Sequence, residues 1–347
     1  MTPRNLALAA VALSALGIAR AAPPAPPELK FSALRLPGGE AGIGFDDLIF
    51  APSLRRVLAP GGRTGNLALV DPDSQTMTAI GGFSMEPKYV EGHGVGVTSA
   101  DEGRGLLFVT DRTARRLDVV EPKGGGIVSA AALAGVPDYV RYVAPTGEVW
   151  VTEPGSKRVE IFTIPAGSNP TPLHVAFIEV PGGPESLVID ATRRRAYTHL
   201  WKDTTISIDL DKRAIVARWK NGCSDSRGIA LDEKRGLLFV GCDEGKAAAL
   251  DVEHSGKQVG TAVTGKGVDV IAYSSSLAHL YVPGEDSKTL TVLGVGPTGV
   301  LTALATAPTA TGAHCVAADD RRNIYICDPG RGQLLIFKDV LSAAAAR

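Results

Sequence analysis

The chain has 347 residues and a formal net charge of −1, with 44% hydrophobic and 21% charged residues. That balance supports a sizeable folded core, and the near-neutral charge gives no global pull toward nucleic acid or an anionic membrane. Aromatic residues make up only 5%, against 40 glycines and 23 prolines, which points to many short strands and turns rather than long helices.

Residues 1–21 read as a secretory signal: Arg4 supplies the positive end, Leu6 to Ala19 the apolar run, and Ala19-Arg20-Ala21 an A-x-A cleavage pattern. The run is too short for a comfortable membrane span. Residues 22–27 (APPAPP) read as an extended, proline-rich start of the mature chain. A periplasmic or secreted protein exported by the general secretory route is expected, and no later apolar stretch is long enough to span a membrane.

Residues 28–340 repeat a unit of roughly 45 residues, the length of a propeller blade. The first strand, turn and second strand of each unit fall at Leu48–Leu58, Val95–Val109, Val140–Val151, Leu187–Thr198, Ile229–Val240, Ile271–Val282 and Val316–Ile326. Alternating third strands follow, such as Arg116 to Val120 and Leu334 to Lys338, then fourth strands such as Ile127–Leu133 and Ile215–Trp219. The seventh unit lacks a fourth strand, while Glu28 to Leu36 is a spare strand ahead of the first. An all-β, seven-bladed β-propeller is predicted, with four antiparallel strands per blade and the N-terminal strand completing the last blade, so that no edge stays open. Residues 341–347 form a short tail.

The second-strand segments Phe108-Val109-Thr110-Asp111, Trp150-Val151-Thr152-Glu153, Tyr281-Val282-Pro283-Gly284 and Tyr325-Ile326-Cys327-Asp328 resemble those of the YVTN-repeat β-propellers. The resemblance covers essentially the whole mature chain, and it implies the fold rather than an activity.

Two places before each first strand stand Asp46, His93, Asp138, Glu185, Arg227, Asp269 and His314, all ionisable. In a propeller the first strand lines the central channel, so this column should converge on the channel mouth, here called the top face. Carboxylates and imidazoles there suit a cation, and Arg227 suits an anionic group on a ligand; the same side chains can also pair with one another and with water. Asp46, His93, Arg227 and His314 are the ligand-binding candidates from the column. It is similar to the column that carries the calcium ligands of the gluconolactonase (regucalcin-like) propellers, and that resemblance implies Glu185, Asp138 and Asp269 as metal ligands. The E-G-P-x-W signature of that family is absent, and its asparagine ligands have no counterpart.

The next column on the top face holds Asp111, Glu153, Cys242 and Asp328, with His199-Leu200-Trp201 as its variant segment. His199 and Trp201 could cap a ligand or pack between blades. His174, His254 and His279 fall on outer strands or turns and are expected to be solvated. Arg55-Arg56, Arg193-Arg194-Arg195, Lys234-Arg235 and Arg321-Arg322 lie in the turns between first and second strands, on the opposite face, most simply as solvated turn charges, with a patch for an anionic partner as the alternative.

Four cysteines in an exported chain predict disulfides. Cys315 and Cys327 face each other across a hairpin, and Cys223 and Cys242 bracket another, so Cys223–Cys242 and Cys315–Cys327 are the expected bridges. The competing role for Cys315 is a soft-metal ligand beside His314. Gly92-x-Gly94-x-Gly96 precedes a strand, not a helix, and so is no dinucleotide fingerprint. No nucleophile elbow, P-loop, zinc-protease motif or CxxC occurs.

These features predict a non-catalytic binding protein that takes a small molecule, cation or protein partner at the top face. The alternative is a hydrolase of the lactonase type using a divalent metal such as calcium, with a ring carboxylate or His314 moving the proton. An electron-transfer role has less support, because no haem motif or clean copper set occurs.

Overall fold

The computed structural model describes residues 29–124, 126–167 and 170–343; the expected signal segment, the proline-rich segment and the last four residues lie outside them. The described residues form seven four-stranded sheets. In each of the first six, four consecutive strands pair in chain order. The third blade, for example, comprises Val140–Val143, Glu148–Glu153, Arg158–Thr163 and Leu173–Glu179. The seventh comprises Val316–Ala318, Asn323–Asp328 and Gln333–Lys338, and its outer strand is Phe31–Arg35 from the other end of the chain. That strand pairs antiparallel with Gln333–Lys338, Phe31 opposite Phe337 and Arg35 opposite Gln333. The chain is a closed seven-bladed β-propeller, as the repeat predicts.

Second and third strands carry the core. Glu148–Glu153 and Leu237–Cys242 are buried along their whole length, whereas fourth strands such as Leu173–Glu179 are mostly exposed. Apolar side chains pack between blades, and each buried Val, Leu or Phe contributes about 1.5–3 kcal/mol. One cluster closes the ring: Phe45 and Val57 of the first blade meet Tyr325 and Leu334 of the seventh, with Leu36 between them. The segment leading into the first blade is held by the buried Arg63, whose guanidinium donates to the Gly42 and Gly38 carbonyls at 2.7 and 2.9 Å. This anchoring sets the position of Asp46.

The turn from first to second strand repeats a left-handed residue. It is Arg55, Arg194, Ala278 and Arg322 in four blades and Gly147 or Gly236 in two others. Most of the basic residues of these turns are ion-paired rather than simply solvated. Arg55 meets Asp73 and Asp320, Arg193 meets Asp190 and Glu253, Arg194 meets Asp211, and Arg235 meets Asp232. His254 is exposed and His174 nearly half-exposed, as expected. His279 corrects the expectation of a solvated ring. It is buried, with Nδ1 2.7 Å from the Asp339 carboxylate and Nε2 3.1 Å from the Ser342 carbonyl, because the chain beyond the last strand folds back across it.

Candidate functional site at the channel mouth

The segments that lead into the first strands end around one axis, and the loops leaving the second strands lie beside them. Together they enclose a chamber of about 300 Å³. Six of the seven column residues line it: Asp46, His93, Asp138, Glu185, Arg227 and Asp269. His314 packs alongside, its ring centroid 5.6 Å from that of His93. Trp201 lines the chamber and is 45% exposed. His199 is fully buried against Thr205, Nδ1 to Oγ1 2.9 Å, and is not among the lining residues. Of the two, Trp201 reaches the chamber and His199 is a packed core group, whose pKa burial lowers to about 3.

The charges in the chamber are organised by one residue that sequence reasoning missed. Arg112, just beyond Asp111, donates to the Pro137 and His93 carbonyls at 2.8 and 2.9 Å. It also donates to the Asp138 carboxylate and lies 3.6 Å from that of Asp46. The YVTN-like repeat ends at Asp111, so only the spatial order of the loops reveals its neighbour.

His93 Nδ1 lies 3.2 Å from the Asp46 carboxylate. The Asp46 charge is the largest influence on His93 and, against burial, raises its pKa to about 10. Burial works against ionisation of Asp46, yet His93, Arg112 and His314 outweigh it and hold that carboxyl below its usual range. The other carboxyls go the opposite way. Burial, then repulsion from Asp46, raises Asp138 to about 7 despite Arg112. Burial, then repulsion from Asp138 and Asp269, raises Glu185 to about 9, although Arg227 donates to it at 3.3 Å. The mouth is therefore less negative than its composition suggests: it holds two guanidinium groups, an imidazole that Asp46 biases toward its protonated form, and two carboxyls that burial biases the same way.

Arg227 also donates to Asp225 at 3.1 Å, and its guanidinium carbon lies 5.8 Å from the centroid of the Trp201 ring, within cation–π range. One ligand atom each from His93, Asp269 and His314 fall within 4.8 Å of one another. Both His314 nitrogens, however, contact backbone carbonyls, of Gly312 at 2.7 Å and Phe45 at 2.9 Å. A lone pair on His314 is available to a metal only if one of these contacts is released.

Beside the mouth, Cys315 and Cys327 form one disulfide and Cys223 and Cys242 the other, with Cα–Cα distances of 5.6 and 5.3 Å. No cysteine is free, which removes Cys315 as a thiolate ligand in this state. Among the described residues, no helix is long and apolar enough to cross a membrane.

The fold and its polar mouth define the class: a seven-bladed β-propeller, an architecture that commonly mediates protein interactions. No protein-family model matches the chain, and no curated protein sequence does, so the YVTN-like segments remain a resemblance. Solved structures match in fold. A chain of the mitotic checkpoint complex is 14% identical with a TM-score of 0.71, over 97% of this chain and 99% of that one. The Kuenenia stuttgartiensis hydrazine synthase is 11% identical with a TM-score of 0.69, over 88% of this chain and 98% of that one. The Cps50 (Swd1) β-propeller domain of Myceliophteria thermophila is 11% identical with a TM-score of 0.70, over 88% and 99%. At such identities the likeness concerns the fold alone.

Proposed function

We propose that the protein is an exported binding protein whose chamber at the channel mouth holds a neutral, hydroxyl-rich small molecule of about monosaccharide size. The observation that carries this reading is the mixed lining of one small chamber. Arg112 and Arg227, with the carboxyls of Asp138 and Glu185 that burial pushes toward their protonated forms, offer donors, Asp46 and Asp269 offer acceptors, and the half-exposed Trp201 offers a face on which a sugar ring can stack. A hydroxyl both donates and accepts, so such a ligand can match both kinds of group without bringing an unpaired charge into the chamber. Calorimetric titration with a panel of monosaccharides, amino sugars and sugar lactones tests the reading. At least one should bind, with affinity falling tenfold or more in Glu185→Gln and Trp201→Ala. A panel without a binder rules the reading out. Export is supported by the two disulfides and by the A-x-A pattern. The N-terminus of the protein recovered from the periplasm or medium should be Ala22, and retention of Met1 would contradict export with cleavage.

A divalent-metal lactonase is the second reading. It is favoured by Asp138, whose pKa of about 7 suits a group that both takes and gives a proton. Calcium held by Asp138, Glu185 and Asp269 needs six to eight oxygen ligands, and it would have to displace Arg112 from Asp138 and Arg227 from Glu185. That favours the binding reading. Glucono-1,5-lactone with added calcium separates the two. The binding reading expects hydrolysis no faster than in buffer, whereas an acceleration lost in Asp138→Asn would establish the lactonase.

A further inference from the structure

Below the mouth, the channel widens into a second chamber of about 530 Å³ that opens between the turns of the opposite face. Its character differs from that of the mouth. Phe50, Ile229 and Leu231 are half-buried side chains in its wall, beside the buried Ile271. A concave apolar wall of this size, with a few polar groups, has the make-up of a small-molecule site.

Those polar groups carry an excess of negative charge. Arg141 is the one cation in the lining, and it is committed to Asp47, donating to both carboxylate oxygens at 2.6 and 3.1 Å. Among the described residues, Asp101 accepts only from the Tyr142 and Glu102 backbone N–H groups, at 2.7 and 2.8 Å. Asp319 accepts from the Tyr325 hydroxyl, the Asn323 side chain, and the Asn323 and Arg321 backbone. Neither carboxyl has an ion-pair partner among the described residues. Asp320 at the rim is paired with Arg55.

Tyr139 gives the second, independent observation. It lines both chambers, is only 5% exposed, and its hydroxyl has no hydrogen-bond partner among the described residues. The hydroxyl is not among the fully buried polar atoms, so it stays open to a hydrogen bond with a ligand or water. Its ring lies under the Arg141 guanidinium, 5.3 Å from carbon to centroid, and forms part of the partition between the chambers.

We propose that this lower chamber is a second ligand site, separate from the mouth, which takes a small hydrophobic amine: an apolar body against Phe50, Ile229 and Leu231, and an ammonium group toward Asp101 and the Tyr139 hydroxyl. An apolar wall with a committed cation and unpaired carboxyls disfavours an organic anion and leaves a neutral analogue without the charge term.

The test is calorimetric titration of the whole protein with 2-phenylethylamine, 2-phenylethanol and phenylacetate. The amine should bind at least tenfold more tightly than the alcohol, and phenylacetate should show no heat. This selectivity is read on the wild-type chain and needs no variant. Asp101→Asn should weaken the amine tenfold or more and Ile229→Trp should abolish its binding, each at an unchanged melting temperature, while Trp201→Ala leaves it intact. Absence of amine binding, equal binding of the three probes, or loss of amine binding in Trp201→Ala would overturn the proposal. The last result would place the amine in the mouth, so failure here is distinguishable from failure of the sugar reading.

Discussion

Glu185, Asp138 and His93 each hold a proton more tightly in the folded mouth than in an unfolded chain, with pKa values of about 9, 7 and 10. Across neutral and mildly alkaline pH the folded state therefore binds more protons than the unfolded one, and stability falls as pH rises. Each contribution is complete below the unfolded value and lost as pH passes the folded value. Asp46 has the opposite sign, and its contribution is lost only in acid. The melting temperature should decline from about pH 6 to pH 9, and Glu185→Gln should flatten that decline; an identical slope in the variant would contradict the assignment. The ionisable types of this ring were legible in the sequence because the repeat places one in every unit. The protonation pattern was not, because it depends on which neighbour each group faces. Arg112 sits in a loop whose direction the repeat does not encode, and it decides the balance between Asp46 and Asp138.

Turns and strands follow from local rules, and most were readable. The left-handed residue between first and second strands is Gly147 in the third blade, at φ 69°, and Ala278 in the sixth, at φ 52°. A Cβ at Gly147 would meet nothing within 4 Å, so Gly147→Ala should cost only the backbone strain, roughly 1–2 kcal/mol. Ala278→Gly should stabilise by up to about 1 kcal/mol as the same strain is relieved. Chemical denaturation of the two variants checks the opposite signs, and a shift in the same direction for both would contradict the shared turn geometry. Bulges were not legible. The pairing of third and fourth strands slips at Ile161/Phe162, Ser207/Ile208 and Val292/Leu293, and such slips add the twist that lets blades pack side by side. His279 was misread because its cover, the segment from Asp339 to Ser342, belongs to no repeat.

At the scale of the whole molecule, the chain closes by exchanging ends. Phe31–Arg35 completes the seventh blade, and the two disulfides clip hairpins on the top face of the fifth and seventh blades. Each bridge closes a short loop, with sequence separations of 19 and 12, and should contribute about 3 kcal/mol. Cys315→Ser/Cys327→Ser should therefore lower the melting temperature, as should Cys223→Ser/Cys242→Ser; a melting temperature indifferent to both pairs would show that the bridges do not form. Closure was legible from a missing strand at one end and a spare one at the other. The lower chamber was not, because its wall is assembled from first strands that each read simply as core.

The claim that joins these scales is that closure gathers six residues from distant parts of the chain around one binding chamber, and Trp201 is placed to report on it. Trp150 is fully buried, while Trp201 is 45% exposed at the chamber. Tryptophan emission should change when a binding sugar is titrated into the wild-type protein, and the change should vanish in Trp201→Phe. An emission change of the same size in Trp201→Phe, or sugar binding with no change in the wild type, would mean that the ligand does not sit at the mouth.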